Sequence, residues 1–203
     1  MMLAREYPSE QYPYVLDGGV GSCAMVRLLS QLGYKAHGHE ASVLRIQENC
    51  QGFSVSDGLL KKTPYPDLHF NIVSSVECIE HIPTYAIEET FSEMSRIVKD
   101  LFIFTLGHCY STCEGYCSWS AIHPSGMCKE RPRSWWHAKL LSAGFVELPL
   151  TKRLKIQELL GVSRDLCSRF NRELIQNRSR YEDVRLCGDF NPHGNRYFIY
   201  TKA

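Results

Sequence analysis

With 203 residues, 44% of them hydrophobic and 22% charged, the chain has the composition of an ordinary globular protein and the length of one domain with one sizeable core. Its net charge of +1 gives no bulk reason to expect nucleic acid, a membrane surface or strongly acidic partners, and no apolar run is long enough to span a bilayer. The nine cysteines are an odd number and Met1 to Tyr14 has no signal-peptide core, so free thiols in a reducing, cytoplasmic setting are expected instead of a disulfide framework.

After a polar N-terminal tail over residues 1–13, Tyr14 to Asp17 reads as a short apolar strand ending in an acid. The chain then turns through Gly18, Gly19 and Gly21 and opens into an amphipathic helix from Ala24 to Leu32, stopped near Gly33. Glycines let a backbone turn tightly against a ligand while the helix N-terminus presents free N–H groups to it, which is the plan of a nucleotide-binding strand-to-helix turn. Tyr34 to Glu40 reads as a second strand, again ending in an acid, and Glu40 falls roughly twenty residues beyond Asp17, where dinucleotide-type βαβ units place a ribose-binding carboxylate. A helix from Ser42 to Asn49, a short strand over Phe53 to Val55 with Asp57 just beyond, and a loop marked by Pro64 and Pro66 follow.

Leu68 to Ser75 has the continuous apolar pattern of a buried parallel strand. Glu77 to Pro83 comes where that strand has just ended, followed by a helix from Ala86 to Val98 and the most apolar strand, Leu101 to Leu106. This alternation predicts a doubly wound, mostly parallel sheet whose right-handed crossovers bring Asp17, Glu40, Asp57 and Glu77 to one ligand-binding edge. Residues 107–133 form an irregular loop rich in Cys, Ser, Tyr and Gly, and a loop of that length usually serves function. A helix from Ser134 to Ala143, capped by Ser134, a strand at Phe145 to Leu148, a helical, arginine-containing insertion over 151–195 and a last strand at Tyr197 to Thr201 complete one domain over 1–203.

These motifs, in this order, resemble the class I S-adenosylmethionine-dependent methyltransferases, of the type that includes ubiquinone-biosynthesis enzymes. Val15-Leu16-Asp17-x-Gly19-x-Gly21 looks like their first motif, Val55-Ser56-Asp57 like the acidic end of their third strand, and Phe70 to Ile82 like their fourth strand with its Glu-His-Ile ending. Trp135-Trp136-x-x-Lys139-Leu140-x-x-Ala143-Gly144-Phe145 resembles the helix before their sixth strand. The resemblance implies a Rossmann-like sheet of seven strands with the last one antiparallel and inserted next to the fifth. It implies S-adenosyl-L-methionine as cofactor, with Gly19 and Gly21 beneath its amino acid moiety, Asp17 orienting the glycine turn and the ammonium, Glu40 on the ribose hydroxyls and Asp57 on the adenine amino group. Glu77, the fourth strand-end acid, is counted with these cofactor-binding residues. Carboxylates are acceptor-only groups and suit a ligand that displays hydroxyl, amino and ammonium donors. Three positions depart from the pattern: Cys23 stands for a third glycine, Asn71 for an aspartate, and the segment before the sheet is short.

Methyl transfer from a sulfonium needs in-line alignment and a nucleophile freed of its proton, and histidine titrates in the range to take that proton. His81, just beyond the fourth strand, and His123 in the long loop are the candidate catalytic residues; each could instead be a hydrogen-bonded structural residue. His108, Trp119, Trp135 and Arg133 are the candidate substrate contacts, since a flat aromatic face suits a sugar ring or heterocycle and an arginine an acidic group. The alternative for the Trp135–Trp136 pair is one ring in the core and one half-exposed. The loop spacing Cys109-x3-Cys113-x3-Cys117 matches structural zinc knuckles only in part, so no metal is expected. The sequence reading is therefore a methyltransferase that acts on a hydroxyl of a small molecule or sugar. Its alternatives are a catalytically weak relic serving as a scaffold or regulatory partner, in which Cys23 and the short N-terminal segment weaken the cofactor site, and a nucleic-acid-directed methyltransferase using the arginines of the insertion.

Overall fold

A computed structural model describes residues 6–106, 133–149 and 196–203. Their strands are β1 (Tyr14–Gly18), β2 (Lys35–Glu40), β3 (Val55–Asp57), β4 (Phe70–Val76), β5 (Val98–Leu106), β6 (Phe145–Glu147) and β7 (Arg196–Lys202). The helices are α1 (Ala24–Gln31), α2 (Val43–Asn49), α3 (Ile87–Ile97) and α4 (Arg133–Ser142), with two short 3-10 turns, Ile79–His81 and Thr84–Ala86, between β4 and α3.

The strands form one sheet in the order β3-β2-β1-β4-β5-β7-β6. All neighbouring pairs from β3 through β5 are parallel, and β7 runs antiparallel between β5 and β6. The doubly wound, Rossmann-like seven-stranded sheet expected from the sequence is present, with the reversed strand next to the fifth. Because the order reverses between β1 and β4, a crevice opens above their carboxyl ends, the place where open α/β sheets bind ligands.

Consecutive side chains of a strand point to opposite faces, and the buried residues accordingly divide into two cores. On one face Leu16, Val73, Phe102 and Phe104 pack with Phe91 and Met94 of α3 and with Trp136 and Leu140 of α4. On the other, Val15, Ile72, Leu101 and Ile103 pack with Val26 and Leu29 of α1. Tyr7 and Tyr12 of the N-terminal segment lie against this second core.

Three of the expected boundaries shift. β5 begins at Val98, directly after α3, and not at Leu101. The charged Lys99-Asp100 pair disguises this start, and the pairing with β4 changes register there, between Phe70 and Ile72. β3 covers Val55–Asp57, two residues later than expected, because Ser56 and Asp57 pair with His39 and Glu40. Ser134 lies inside the first turn of α4, which opens at Arg133, and so does not cap it.

Two of the sequence departures have structural explanations. Cys23 adopts a left-handed backbone (φ 60°) just before α1 and is fully buried in the second core, where Cys50 is also buried. Burial, reinforced by Cys50, pushes its thiol up to about 12, so it is a neutral packing residue at physiological pH. Asn71 uses both ends of its amide: Oδ1 accepts from the Tyr14 N–H at 3.2 Å, and Nδ2 donates to Asp100 Oδ2 at 3.0 Å. It thereby ties the starts of β1 and β5 to β4. An aspartate there would set a second carboxylate against Asp100, and Asn71→Asp is expected to destabilise the protein by about 1–2 kcal/mol near neutral pH, less in acid where a proton can be shared. Denaturant melts of the variant at pH 4 and pH 7 check this.

Candidate cofactor and active site

The glycine turn is shaped by two demands, backbone angle and room. Gly19 (φ +81°) donates its N–H to the His39 carbonyl at 2.7 Å. A Cβ at this position would lie 2.3 Å from Cys78 Sγ and 2.7 Å from Cys78 Cβ, so no side chain fits. Gly21 (φ +49°) faces open space and needs glycine for its angle alone. Its N–H donates to Glu40 Oε2 at 3.1 Å, and its carbonyl accepts from Asn49 Nδ2 at 3.2 Å. The other oxygen of Glu40 accepts from the Ser42 N–H at 3.0 Å. One buried carboxylate thus joins the turn after β1 to the turn after β2. The resemblance gives the orientation of the glycine turn to Asp17; the hydrogen bonds that hold the turn come from Glu40 and Asn49.

Asp17 ends β1 with only 4% of its surface exposed, and its Oδ1 lies 3.3 Å from the Ser74 hydroxyl. Burial and the charge of nearby Glu40 push its carboxyl up to about 6, against the opposing bond from Ser74. A cationic ligand group beside it would favour the ionised form. Glu77 follows β4 in a left-handed conformation (φ 49°), its N–H bonded to the Thr105 carbonyl (3.2 Å) and Oγ1 (3.1 Å), and its side chain exposed. Cys78 lies behind it against Gly19, and burial pushes its thiol up to about 12.

These turns enclose a cavity of about 560 Å³ above the carboxyl edge of the sheet. Of the residues expected from the sequence, Gly19, Glu40, Glu77 and His81 line it together; His81 is exposed at the end of the first 3-10 turn. Asp17 and Gly21 adjoin it through the glycine turn without lining it. Asp57 is exposed and outside the lining, whereas the next four residues, Gly58 to Lys61, form one wall. Trp135 is also outside the lining: it is half-buried on α4, edge-on to the core residue Trp136 (centroids 4.8 Å apart), with Lys139 over its ring. Arg133 opens α4, and its side chain is not described. His108, Trp119 and His123, the cysteine spacing and the arginine-containing insertion lie outside the described residues. Among the described residues no group of His, Cys, Asp and Glu could hold a metal ion, and no helix is long and apolar enough to cross a membrane.

Sequence reasoning missed several lining residues: His39, Arg45, Leu59 and Tyr85. His39 could have been found from strand alternation, which sets it on the face opposite Glu40. His137 of α4 bonds through Nδ1 to the Tyr200 hydroxyl at 2.8 Å.

Residues 16–104, the segment that builds this edge, match the family described as a methyltransferase domain. In that segment the chain is similar to a class I S-adenosylmethionine-dependent methyltransferase domain. Its fold is shared with a SAM-dependent methyltransferase from Archaeoglobus fulgidus (TM-score 0.63, 18% identity, 98% of this chain and 91% of that one). It is shared too with a putative methyltransferase from an antibiotic biosynthesis pathway of Anabaena variabilis (TM-score 0.56, 16% identity, 95% and 92%). A third likeness is to the magnesium protoporphyrin IX methyltransferase of Synechocystis with bound SAM (TM-score 0.53, 11% identity, 95% and 71%). No curated protein matches the chain.

S-adenosylmethionine is the cofactor of this family, and the residues present fit it. The Gly19 backbone lines the cavity, two buried carboxylates suit an ammonium and a diol, and the cavity is of small-molecule size. The raised value of Asp17 has a consequence for stability. The folded state holds a proton at Asp17 that the unfolded chain has already released, so stability falls as pH rises from about 4 to 6, by roughly 3 kcal/mol in all. Asp17→Asn is therefore expected to raise the melting temperature of the ligand-free protein at pH 7, to have no such effect below pH 4, and to weaken S-adenosylmethionine binding at least tenfold, on the order of the loss of a charge-assisted bond. Thermal melts at the two pH values and calorimetry check the opposite signs.

Proposed function

We propose that the protein transfers the methyl group of S-adenosylmethionine to a hydroxyl oxygen of a small molecule or sugar, without a metal. The observation that carries this reading is that His81, the candidate base, lines the same cavity as Gly19 and Glu40. In this reading Gly19 and Gly21 pass beneath the amino acid end of the cofactor and Asp17 faces its ammonium. Glu40 keeps lone pairs free for the ribose hydroxyls after accepting from Gly21 and Ser42. The Gly58–Lys61 turn faces the purine in place of Asp57, to which the resemblance assigns that contact.

When bound, the sulfonium supplies an electrophilic methyl carbon. The protein then has to align the acceptor and remove its proton. His81 would take that proton in the direction of solvent, consistent with its exposed place at the cavity mouth. The apolar residues around it, Leu59, Ile82, Pro83 and Tyr85, offer the acceptor an aliphatic or aromatic surface. His108, Trp119, His123 and Arg133 are proposed to complete the acceptor site. The burial of Cys23 in the second core, away from the cavity lining, favours a working site over a relic.

The test is a panel of phenols, sugars and other hydroxyl compounds assayed with labelled S-adenosylmethionine. Transfer to an oxygen supports the reading, and transfer to nitrogen, sulfur or nucleic acid alone refutes it. Against the acceptor so found, His81→Ala is expected to lower turnover by about 10²–10⁴-fold while S-adenosylhomocysteine affinity stays within about threefold. Unchanged turnover removes His81 from the mechanism.

A further inference from the structure

A cluster of rings lies toward the amino ends of β1 and β2, away from the glycine turn, and the chemistry above does not use it. His37 of β2 and His69, which precedes β4, are both half-buried, with ring centroids 6.2 Å apart. Tyr65 packs on the two of them. It stacks on His69 (6.0 Å between centroids, 8° between planes) and stands edge-on to His37 at 6.1 Å. Phe70 lies 5.7 Å from His37, and Tyr14 lies 5.4 Å from His69. Nδ1 of His37 is 3.0 Å from Ser54 Oγ. Lys35, two residues before His37 and so on the same face of β2, donates to the Tyr14 hydroxyl at 3.3 Å. Among the described residues neither imidazole bonds to a carboxylate, and the full charge beside the pair is the positive one of Lys35.

Tyr65 joins this cluster to the cavity. Its hydroxyl donates to the Gly38 carbonyl at 3.0 Å and accepts from Ser56 at 2.9 Å, and Ser56 accepts at 2.7 Å from Nδ1 of His39, which lines the cavity. Tyr65 also belongs to the loop that begins as the Gly58–Lys61 wall. The clamp of that loop on α3 is indifferent to pH near neutrality. Thr63 donates to Glu93 through N–H and Oγ1, each at 2.7 Å, and against burial the bonds from Arg96 and Thr63 bring Glu93 down to about 2. We propose that His37 and His69 form a pH-sensitive clasp on the cavity wall. Both neutral, they hold Tyr65 and its loop against the sheet. Both protonated, they repel each other and Lys35, Tyr65 comes free, the wall loosens and cofactor binding weakens. Neutral rings pack edge to face, whereas two half-buried imidazolium ions with no acid beside them have no compensating partner. The groups that face His37 are Tyr14 (β1), Lys35 and His39 (β2), and Tyr65 and His69 of the loop, none of them a carboxylate. Burial and the charge of His69 hold His37 below its ordinary 6.5. The unfolded chain therefore takes up this proton before the folded one, so the contribution to stability is intact above about pH 7 and is lost as pH falls below about 6.5. Asp17 acts with the opposite sign and is common to the proteins compared below.

The experiment compares the full chain with His37→Phe and His69→Phe, each of which keeps a ring in the cluster but leaves a single imidazole. Thermal melts without ligand at pH 7.5 and pH 5.5 read the clasp by itself. The parent is expected to lose on the order of 3 °C more than either variant over that interval. Calorimetric titration with S-adenosylhomocysteine at the same two pH values reads the link to the cavity. The acid loss of affinity in the parent should exceed that in either variant by about fivefold. Imidazole NMR of the parent should show His37 and His69 titrating as a coupled pair, and the remaining ring of each variant titrating at a higher pH than it does in the parent. A merely structural ring would move none of these pH differences. Should one variant fail to fold, the other carries the same comparison. Equal acid losses of melting temperature in parent and variant, or a titration of either ring that ignores replacement of the other, would overturn the clasp. A clasp visible in the melts with the same pH dependence of affinity in all the proteins overturns its link to the cavity. That link rests on the cavity being the cofactor's site: if the parent binds no S-adenosylhomocysteine at pH 7.5, the site fails and the link with it, while the melts still decide the clasp.

Discussion

The carboxylate of Glu40 is the constraint on which the binding edge depends. It is 8% exposed and accepts one backbone N–H from the glycine turn and one from the start of the turn to α2. Both donors would otherwise be unpaired groups of tight turns, and a carboxylate can take both because it is acceptor-only with two oxygens. The consequence is geometric. The turns after β1 and β2 cannot move apart without leaving a buried charge unsatisfied, so the crevice between them keeps its width whatever lies above it. Asn49 adds a second tie to the same glycine turn from the end of α2.

Around that fixed pair, the site concentrates features that a structural edge would avoid. Asp17 is buried beside Glu40 with its carboxyl near 6, Glu77 holds a left-handed backbone, and the Cys78 side chain occupies the space that a Cβ at Gly19 would need. Strained angles and displaced titrations cluster where a fold is shaped for a ligand. Three carboxylates, Asp17, Glu40 and Glu77, gather at the glycine-turn end of this edge, while Arg45 and Lys61 line other parts of the cavity. That local field suits a cationic ligand rich in donors, as the sulfonium and ammonium of the family's cofactor are.

Much of this was legible in the sequence because the signals are periodic or local. Apolar runs in β1, β4 and β5, glycines after β1 and acids at strand ends fix sheet, order and edge. Where charged residues sit inside strands, as Lys99 and Asp100 do in β5, periodicity places the boundary too late. Roles that depend on parity and on long-range contact were not readable. Asp57 sits at the expected strand end, yet its side chain is exposed outside the cavity lining and the four residues after it form the wall instead. Cys23 stands in the glycine motif but packs beneath α1, because a left-handed backbone turns it inward. His39 carried no motif, and only the third strand and the loop through Tyr65 show what surrounds it.

The central claim, that this sheet edge is a working S-adenosylmethionine site, is tested most directly by calorimetric titration of the full chain with S-adenosylhomocysteine, with a nicotinamide dinucleotide as control. The account predicts saturable one-to-one binding in the micromolar range for the former, about −8 kcal/mol, and none for the latter. Absence of S-adenosylhomocysteine binding by a protein that melts cooperatively, or preference for the nicotinamide dinucleotide, would contradict it.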